Sequence, residues 1–392
     1  MLAEDKVIPV MQSADRPSTR LATRLAFLAA GFGIACWAPL VPLAKARLDV
    51  NEAVLGLLLL CLGVGSMIAM LLTGILSPKF GSKPLILAGC LGLALMLPLL
   101  TVASTPLSLG ICLALFGASL GAADVAANIH AIEVERAAPL PLMSGFHAHF
   151  SIGGLAGAAL MTLLISTRLG TLASALICSG LMLAVTGLTW PRLLRRSESG
   201  PAPRGVPLSV MPRGIVILIA SLAGIVFLVE GAMLDWGALL LTATGRVPVT
   251  QAGVGYIVFS IAMTVGRFCG DSVVVRLGDR AILFWGSLLA IAGIITAVAA
   301  PVALLAVAGF LVIGLGASNI VPVLFRRGGS QKAMPVALAV TAITTVGYGG
   351  ILVGPAAIGF VAKIVGLPTA FGCLAALVGL VTLSSRRVTS NA

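Results

Sequence analysis

The chain has 392 residues, of which 59% are hydrophobic and only 10% are charged, and its mean hydropathy is +1.13. A soluble protein carries about a quarter charged residues, so we predict an all-α integral membrane protein without a soluble domain of any size. The net charge of +12 comes without a basic cluster interleaved with aromatic residues, which argues against nucleic acid as a partner.

The cysteines do not form a recognisable ligand or disulfide pattern. All seven lie inside apolar segments, without a Cys-x-x-Cys or Cys/His grouping, so we predict neither a disulfide framework nor a metal site, and no cofactor. The first ~20 residues are polar, and the apolar run behind them is too long for the core of a cleavable signal peptide.

Twelve apolar stretches are long enough to cross about 30 Å of hydrocarbon. The longest polar interruption, 191–213, is rich in Arg, Pro, Ser and Gly and predicts a linker. We therefore predict a tail at 1–21, a six-helix bundle at 22–190, a linker at 191–213, a second bundle at 214–387 and a tail at 388–392. The predicted spans are 22–44, 53–76, 84–104, 107–132, 142–166, 171–190, 214–242, 250–274, 281–299, 302–325, 334–363 and 368–385.

The basic residues predict the orientation of these spans. If the N-terminus is cytoplasmic, 20 Lys and Arg residues, Arg267 among them, fall on the inner side and five fall outside. Such a bias is the positive-inside pattern. We expect a multi-pass protein of the bacterial inner membrane whose termini and linker are all cytoplasmic.

The two halves of the chain repeat each other weakly. Three pairs of matching features recur at offsets of 197, 191 and 196 residues, which indicates a duplicated six-span unit. Twelve spans in two parallel halves are typical of secondary transporters, whose site lies near the middle of the membrane. The pairs are Gly81 with Gly278, Asn128 with Asn319, and Gly153-Gly154 with Gly349-Gly350.

The loop Gly74–Leu85, GILSPKFGSKPL, resembles the G-x-L-x-D-R-x-G-R-K signature of the major facilitator superfamily. The Asp of that signature is replaced by Pro78 here and by Val275 in the second half. The resemblance implies a cytoplasmic gate. For Asp271 we also predict a structural ion pair, with Arg267 four residues before it and Arg276 five residues after it. The predicted gate residues are Gly74, Lys79, Gly81, Lys83, Asp271, Arg276 and Gly278.

Asp124 and Glu230 lie near the middle of apolar spans, where a charge costs at least ~2.5–3.5 kcal/mol and is by default a functional hypothesis. Asp124 stands four residues before Asn128, and Glu230 stands six residues before Trp236. Both spacings resemble the fucose-permease-like branch of the superfamily. The resemblance implies proton coupling, with these acids bordering the cavity.

His147 shares a helix face with Ser144 and Ser151 and should lie at a depth similar to that of Asp124. Histidine suits proton exchange because it titrates near pH 6.5, so Asp124, Glu230 and His147 are the predicted proton-coupling residues. A helix-packing role for His147 is an equal alternative.

Polar side chains recur at helical spacing on several later spans and predict a solute cavity, although Ser and Thr also join helices in membranes. Trp37, beside Pro39 and Pro42, predicts a broken first helix with an aromatic platform for a sugar-like ring. An interfacial Trp is the alternative. The predicted cavity residues are Asn128, Trp37, Tyr256, Ser260, Asn319, Thr345, Tyr348 and Trp236.

These patterns favour a proton-coupled secondary transporter, not an enzyme, that moves a small polar, sugar-like solute by alternating access. We expect a monomer whose partners are the solute, protons and the lipid bilayer. Efflux of amphipathic drugs or metabolites is the alternative among transporters. A non-transporting membrane sensor is the alternative from another class.

Overall fold

The computed structural model describes residues 16–50, 52–167, 169–194, 211–243 and 254–390. Within these ranges the chain is helical and contains no strand. Most of the predicted tail 1–21 and of the predicted linker 191–213 lies outside the described residues. The helices are α1 (Pro17–Trp37), α2 (Val41–Leu48), α3 (Glu52–Phe80), α4 (Ser82–Val102), α5 (Pro106–Ala137), α6 (Met143–Ser166), α7 (Thr171–Thr189), α8 (Ile215–Asp235), α9 (Gly237–Ala243), α10 (Val254–Ala299), α11 (Ala303–Ala317), α12 (Ile320–Ser330), α13 (Val336–Val365) and α14 (Leu367–Ser390).

Eleven helical segments of the described chain are long and apolar enough to cross a membrane, with α11 and α12 counted together. One of them, α10, has 46 residues, about twice the length needed. At Gly278 its backbone is not helical, with φ 78° and ψ 160°, so α10 consists of two consecutive crossings. Twelve crossings result, and the predicted all-α membrane fold is confirmed.

Glycine is required where two of these crossings meet. Gly81 precedes α4 with φ 81°, and Gly278 divides α10 with φ 78°. Residues with a Cβ rarely adopt positive φ. The two glycines that match in the sequence repeat therefore perform the same backbone task in the two halves of the chain.

The chain forms two compact units. The first comprises residues 1–142 and 146–210, and the second comprises residues 143–145 and 211–392. Both depend on close helix packing at small residues. In the first unit Gly121 of α5 lies directly against the backbone of α3, where an added Cβ would come within 2.3 Å of the Ser66 carbonyl oxygen. In the second, the same approach occurs between Gly293 of α10 and Gly309 of α11.

Two apolar crossings are interrupted. After Trp37 the chain makes a 3₁₀ turn, Ala38–Leu40, before α2 begins, and Pro39 lies within that turn. The predicted break in the first span is present. The second interruption, at Ser318 and Asn319, separates α11 from α12.

Arg47 on α2 caps the C-terminal end of α4. Its guanidinium group donates hydrogen bonds to the carbonyl oxygens of Leu100, Thr101 and Ala103. The last carbonyl groups of a helix have no partners within the helix and attract cations. The connection after the first crossing is thereby fixed to the end of the third.

His130 holds the end of the first six crossings. Its Nε2 accepts a hydrogen bond from the Leu194 amide at 3.1 Å, so the ring is neutral and Nδ1 carries the proton. Nδ1 lies 3.1 Å from the Thr23 hydroxyl, which itself donates to the Thr19 carbonyl. The ring is completely buried and its role in this unit is structural.

Candidate functional site

Asp124 and Asn128 lie one turn apart on α5 in the first unit. The Asn128 amide nitrogen donates to the Asp124 backbone oxygen at 3.0 Å and to its carboxylate oxygen Oδ1 at 3.2 Å. Within the described chain this carboxylate has no other hydrogen bond and no ion pair. Asp124 is therefore a partly buried acid whose hydrogen-bond partner in the described chain is an amide and not a cation.

His147 lies on α6 with its ring against Phe27 of α1, and the two ring centroids are 5.3 Å apart. Ser151 donates to the His147 backbone oxygen at 3.4 Å. The Asp124 carboxylate hydrogen-bonds to Asn128 and not to His147, so similar depth does not bring the two predicted partners into contact here.

The buried polar atoms of the first unit that make no hydrogen bond in the described chain include the Trp37 indole Nε1 and the Asn128 side-chain oxygen. Trp37 is 4% exposed and Asn128 is 1% exposed. Such unsatisfied groups are rare in proteins and call for an explanation. One offers a donor and the other an acceptor, which is what a hydroxyl group requires.

In the second unit, Glu230 of α8 forms an ion pair with Arg267 of α10. The Glu230 carboxylate oxygen is 3.1 Å from the Arg267 Nη2, and the side chains are 22% and 9% exposed, respectively. Counting Arg267 among the cytoplasmic loop charges was therefore wrong, because the residue is buried inside a helix. Arg267 lies within the predicted apolar span 250–274, and a basic residue at that position indicates an acidic partner at a similar depth in the membrane.

The interruption between α11 and α12 is bonded to α10 at this point. The Arg267 Nε donates to the Ser318 carbonyl oxygen at 3.4 Å. The Asn319 amide nitrogen donates to the Gly266 carbonyl oxygen at 2.8 Å. Gly270 leaves room for Asn319, since an added Cβ would lie 1.8 Å from its side-chain oxygen. The sequence predicted Asn319 as a cavity residue, whereas it did not predict the helix break at Ser318 and Asn319.

The other predicted cavity residues of the second unit lie on three helices. Tyr256 and Ser260 are half-buried on α10. Thr345 and Tyr348 are half-buried on α13, and Trp236 follows α8. Buried atoms without a hydrogen-bond partner in the described chain occur on Trp236, Asn319, Thr341 and Thr345.

The predicted gate residues have separate local contacts. The Lys79 ammonium group lies 5.2 Å from the centre of the Phe80 ring, and Gly81 supplies the positive φ described above. Asp271 accepts hydrogen bonds from the backbone amides of Ser144 at 3.0 Å and Gly145 at 2.8 Å, two residues that belong to the second unit. Gly74 is buried in α3, Lys83 lies in the first turn of α4, and Arg276 is exposed on α10.

Asp279 is a charged centre that sequence reasoning missed. Its two carboxylate oxygens bind Arg326 and Arg327 of α12, the latter at 2.6 Å. No group of three or more His, Cys, Asp or Glu residues able to hold a metal ion occurs among the described residues.

Comparison with known proteins places these features in context. A model of the Major Facilitator Superfamily matches residues 24–327. An uncharacterised MFS-type transporter of Yersinia pestis is 48% identical over 382 residues, which cover 97% of this chain and 99% of that protein.

Solved structures show a similar fold. The E. coli fucose:proton symporter FucP has a TM-score of 0.77 at 18% identity, covering 95% of this chain and 98% of that one. The proton:xylose symporter XylE has a TM-score of 0.72 at 14% identity, covering 94% and 95%. At such low identities the likeness establishes the arrangement of helices alone.

Proposed function

The chain belongs to the major facilitator superfamily of secondary transporters, and from this premise we propose that it carries a small, polar, sugar-like solute together with protons. It is a multi-pass membrane protein and not an enzyme. What we propose is that protons are the coupling ion and that the solute is sugar-like.

The observation that carries proton coupling is the environment of Asp124. A charge inside a membrane protein needs a partner of opposite charge or an exchange of protons. Glu230 has such a partner in Arg267, whereas Asp124 has only the amide of Asn128 in the described chain. Taking up a proton therefore removes an uncompensated charge at Asp124 without breaking an ion pair.

The unsatisfied polar atoms support a hydroxyl-rich solute. Buried groups that make no hydrogen bond within the protein gain by bonding to a ligand. In the first unit these groups include Trp37 and Asn128, and in the second they include Trp236, Asn319 and Thr345. Each unit thus offers an indole donor and an amide acceptor, which suit the hydroxyl groups of a sugar or polyol. The fucose:proton and proton:xylose symporters of similar fold support the same choice.

We place the protein in the bacterial inner membrane as a monomer, with both termini and the linker 191–213 in the cytoplasm. The bundles 22–190 and 214–387 are the two structural halves of alternating access. Lys79, Lys83, Asp271 and Arg276, with the glycines Gly74, Gly81 and Gly278, are assigned to the cytoplasmic gate, and His147 to the proton-coupling residues.

The test replaces Asp124 with Asn in protein reconstituted into liposomes that contain a pH-sensitive dye. Monosaccharides and polyols, including L-fucose and D-xylose, are added outside one at a time. We expect at least one of them to drive proton entry in the native protein. Asp124→Asn should abolish that proton entry and still allow binding, seen as ligand-induced thermal stabilisation.

Asp49→Asn is the matched control. Asp49 is exposed and has a left-handed backbone with φ 48°, a conformation that Asn adopts readily. It should transport as the native protein does. The proposal is wrong if no added solute moves protons, or if Asp124→Asn moves them at the native rate.

A further inference from the structure

The groove between α10 and α14 in the second unit ends beside two exposed arginines. The two helices pack against each other, and the hydroxyl groups of Ser287 on α10 and Thr382 on α14 hydrogen-bond to each other at 2.7 Å. Arg280 of α10 and Arg386 of α14 are both exposed. The bonded hydroxyl groups fix how the two helices are aligned, so the positions of both arginines follow from that alignment.

The alignment places both arginines at the same end of the groove. The part of α10 after Gly278 is the ninth crossing and α14 is the twelfth, so the two run antiparallel. Arg280 lies seven residues before Ser287, and Arg386 lies four residues after Thr382. At ~1.5 Å per residue these positions are about 10 Å and about 6 Å from the bonded pair, in the same direction. The difference in depth is shorter than an arginine side chain.

The two arginines also lie on the same side of the groove. With 3.6 residues per turn, Arg280 is rotated about 20° from Ser287, and Arg386 about 40° from Thr382, both in the same sense along the chain. In an antiparallel pair of helices, rotations of the same sense turn toward the same side of the line of contact. Arg280 and Arg386 therefore flank one opening.

An apolar strip continues from these arginines along the same side of the groove. Phe284 and Gly379 are each rotated about 60° in that sense from the bonded hydroxyl of their helix. Phe284 is 37% exposed, and nothing lies within 4 Å of a Cβ added at Gly379. Leu383, the residue after Thr382, is 81% exposed. Leu283 and Val378, which turn the opposite way, are buried. The exposed side of the groove is therefore apolar above its basic end.

The positive charge at this end has no acidic partner among the described residues. None of the 13 acidic residues of the chain lies after Asp279, and the carboxylate oxygens of Asp279 bind Arg326 and Arg327. The side chains of Arg280 and Arg386 form no ion pair or hydrogen bond with any described residue. An anion from outside the protein would therefore find two guanidinium groups available.

We propose that this groove binds one anionic phospholipid of the surrounding bilayer. Its headgroup phosphate lies between Arg280 and Arg386, and one acyl chain lies along Phe284, Gly379 and Leu383. Guanidinium groups match phosphate oxygens with paired N–H donors, and basic pockets between membrane helices bind anionic headgroups. A free phosphate ion would use the arginines but not the apolar strip, so the combination fits a lipid.

The test measures the affinity of the purified full-length protein for phosphatidylglycerol by native mass spectrometry in a non-ionic detergent. Arg280→Gln and Arg386→Gln should each weaken this binding at least about fivefold, because each removes one cation that faces the headgroup. Phosphatidylcholine, which has the same tails and a phosphate but no net charge, should bind the native protein at least about fivefold more weakly than phosphatidylglycerol.

Arg387→Gln is the matched control. Arg387 is exposed beside Arg386 and is rotated about 140° from Thr382, away from the groove. The variant loses the same charge and should bind phosphatidylglycerol as the native protein does. Gly379→Leu tests the apolar strip without changing the charge. It has room for its side chain and should weaken binding of phosphatidylglycerol, because leucine occupies the path of the acyl chain.

The inference is overturned if the native protein binds the two lipids equally, or if Arg387→Gln loses as much affinity as Arg280→Gln. It is also overturned if Gly379→Leu binds phosphatidylglycerol normally, or if a millimolar excess of glycerol 3-phosphate displaces the lipid, which would indicate a site for free phosphate. These measurements need neither a solute nor a proton gradient, so their outcome is independent of the proposed function.

Discussion

Asp124 and Glu230 are both acids within apolar helices, but their hydrogen-bond partners differ in charge. Asp124 is bonded to an amide, whereas Glu230 is paired with a buried guanidinium group. Removing one partner of a buried ion pair leaves the other charge uncompensated and is strongly destabilising. Replacing an unpaired acid with its neutral amide has no such cost.

We therefore predict different effects on stability from two substitutions that each replace an acid with its amide. Glu230→Gln should lower the free energy of unfolding by about 1–3 kcal/mol, less than for a fully buried pair because the Glu230 side chain is 22% exposed. Asp124→Asn should leave it unchanged or raise it slightly. Apparent melting temperatures in detergent, measured side by side, test the contrast. Equal shifts of the melting temperature in both variants would show that the ion pair between Glu230 and Arg267 does not stabilise the protein.

At the level of single residues, the sequence predicted types of residue better than their partners. Asp124 with Asn128 followed from a spacing of four on one helix, and the hydrogen bond between them is present. Glu230 and Arg267 are 37 positions apart, on helices whose relative rotation depends on packing along their whole length. A local pattern does not contain that information, so the pair of Glu230 and Arg267 was not predicted from the sequence.

The helices of the first unit approach each other most closely where glycine removes the side chain. Gly121 on α5 meets the backbone of α3 at Ser66. Between membrane helices such contacts supply packing that the hydrophobic effect does not.

We predict that Gly121→Ala destabilises the protein, because the new methyl group would lie 2.3 Å from a backbone oxygen. Overpacking of this kind costs typically about 1–3 kcal/mol. Gly180→Ala is the matched control, since nothing lies within 4 Å of its added Cβ, and alanine there should stabilise α7 slightly. Thermal unfolding in detergent distinguishes the two. If Gly180→Ala loses as much stability as Gly121→Ala, the close contact at Gly121 does not explain the loss.

Interrupted helices were predictable only in part. Pro39 lies directly within the 3₁₀ turn that follows Trp37, so the break at the first crossing could be recognised from proline itself. In the tenth crossing the break precedes Pro322 by three residues. The Ser318 carbonyl oxygen has no helical donor because Pro322, four residues later, lacks an N–H group. Arg267 donates to that oxygen instead. The position of Arg267 follows only from the tertiary structure.

For the whole molecule, the sequence predicted the twelve crossings, because the length of each apolar stretch can be read directly from it. It also predicted that the second six crossings repeat the first six, because matching glycines recur at a similar offset. The pair Gly81 and Gly278 shows this best, since both have positive φ. The orientation in the membrane stays a prediction from the distribution of Lys and Arg.

We predict that a green fluorescent protein fused after the C-terminus fluoresces, because both termini are expected in the cytoplasm. Alkaline phosphatase inserted in the connection between α6 and α7 should be active, because that connection is expected on the periplasmic side. The reverse insertion, phosphatase after the C-terminus, is the control and should be inactive. Activity there would invert the proposed topology.

The guanidinium cap of Arg47 ties a short helix to the last turn of α4 by three hydrogen bonds. A tilt of α4 during a transport cycle must then carry α2 with it, and the turn after Trp37 absorbs the difference. The 3₁₀ segment Ala38–Leu40 lies between α1 and the joined pair α2 and α4, so we expect any change of angle between α1 and α4 to occur there.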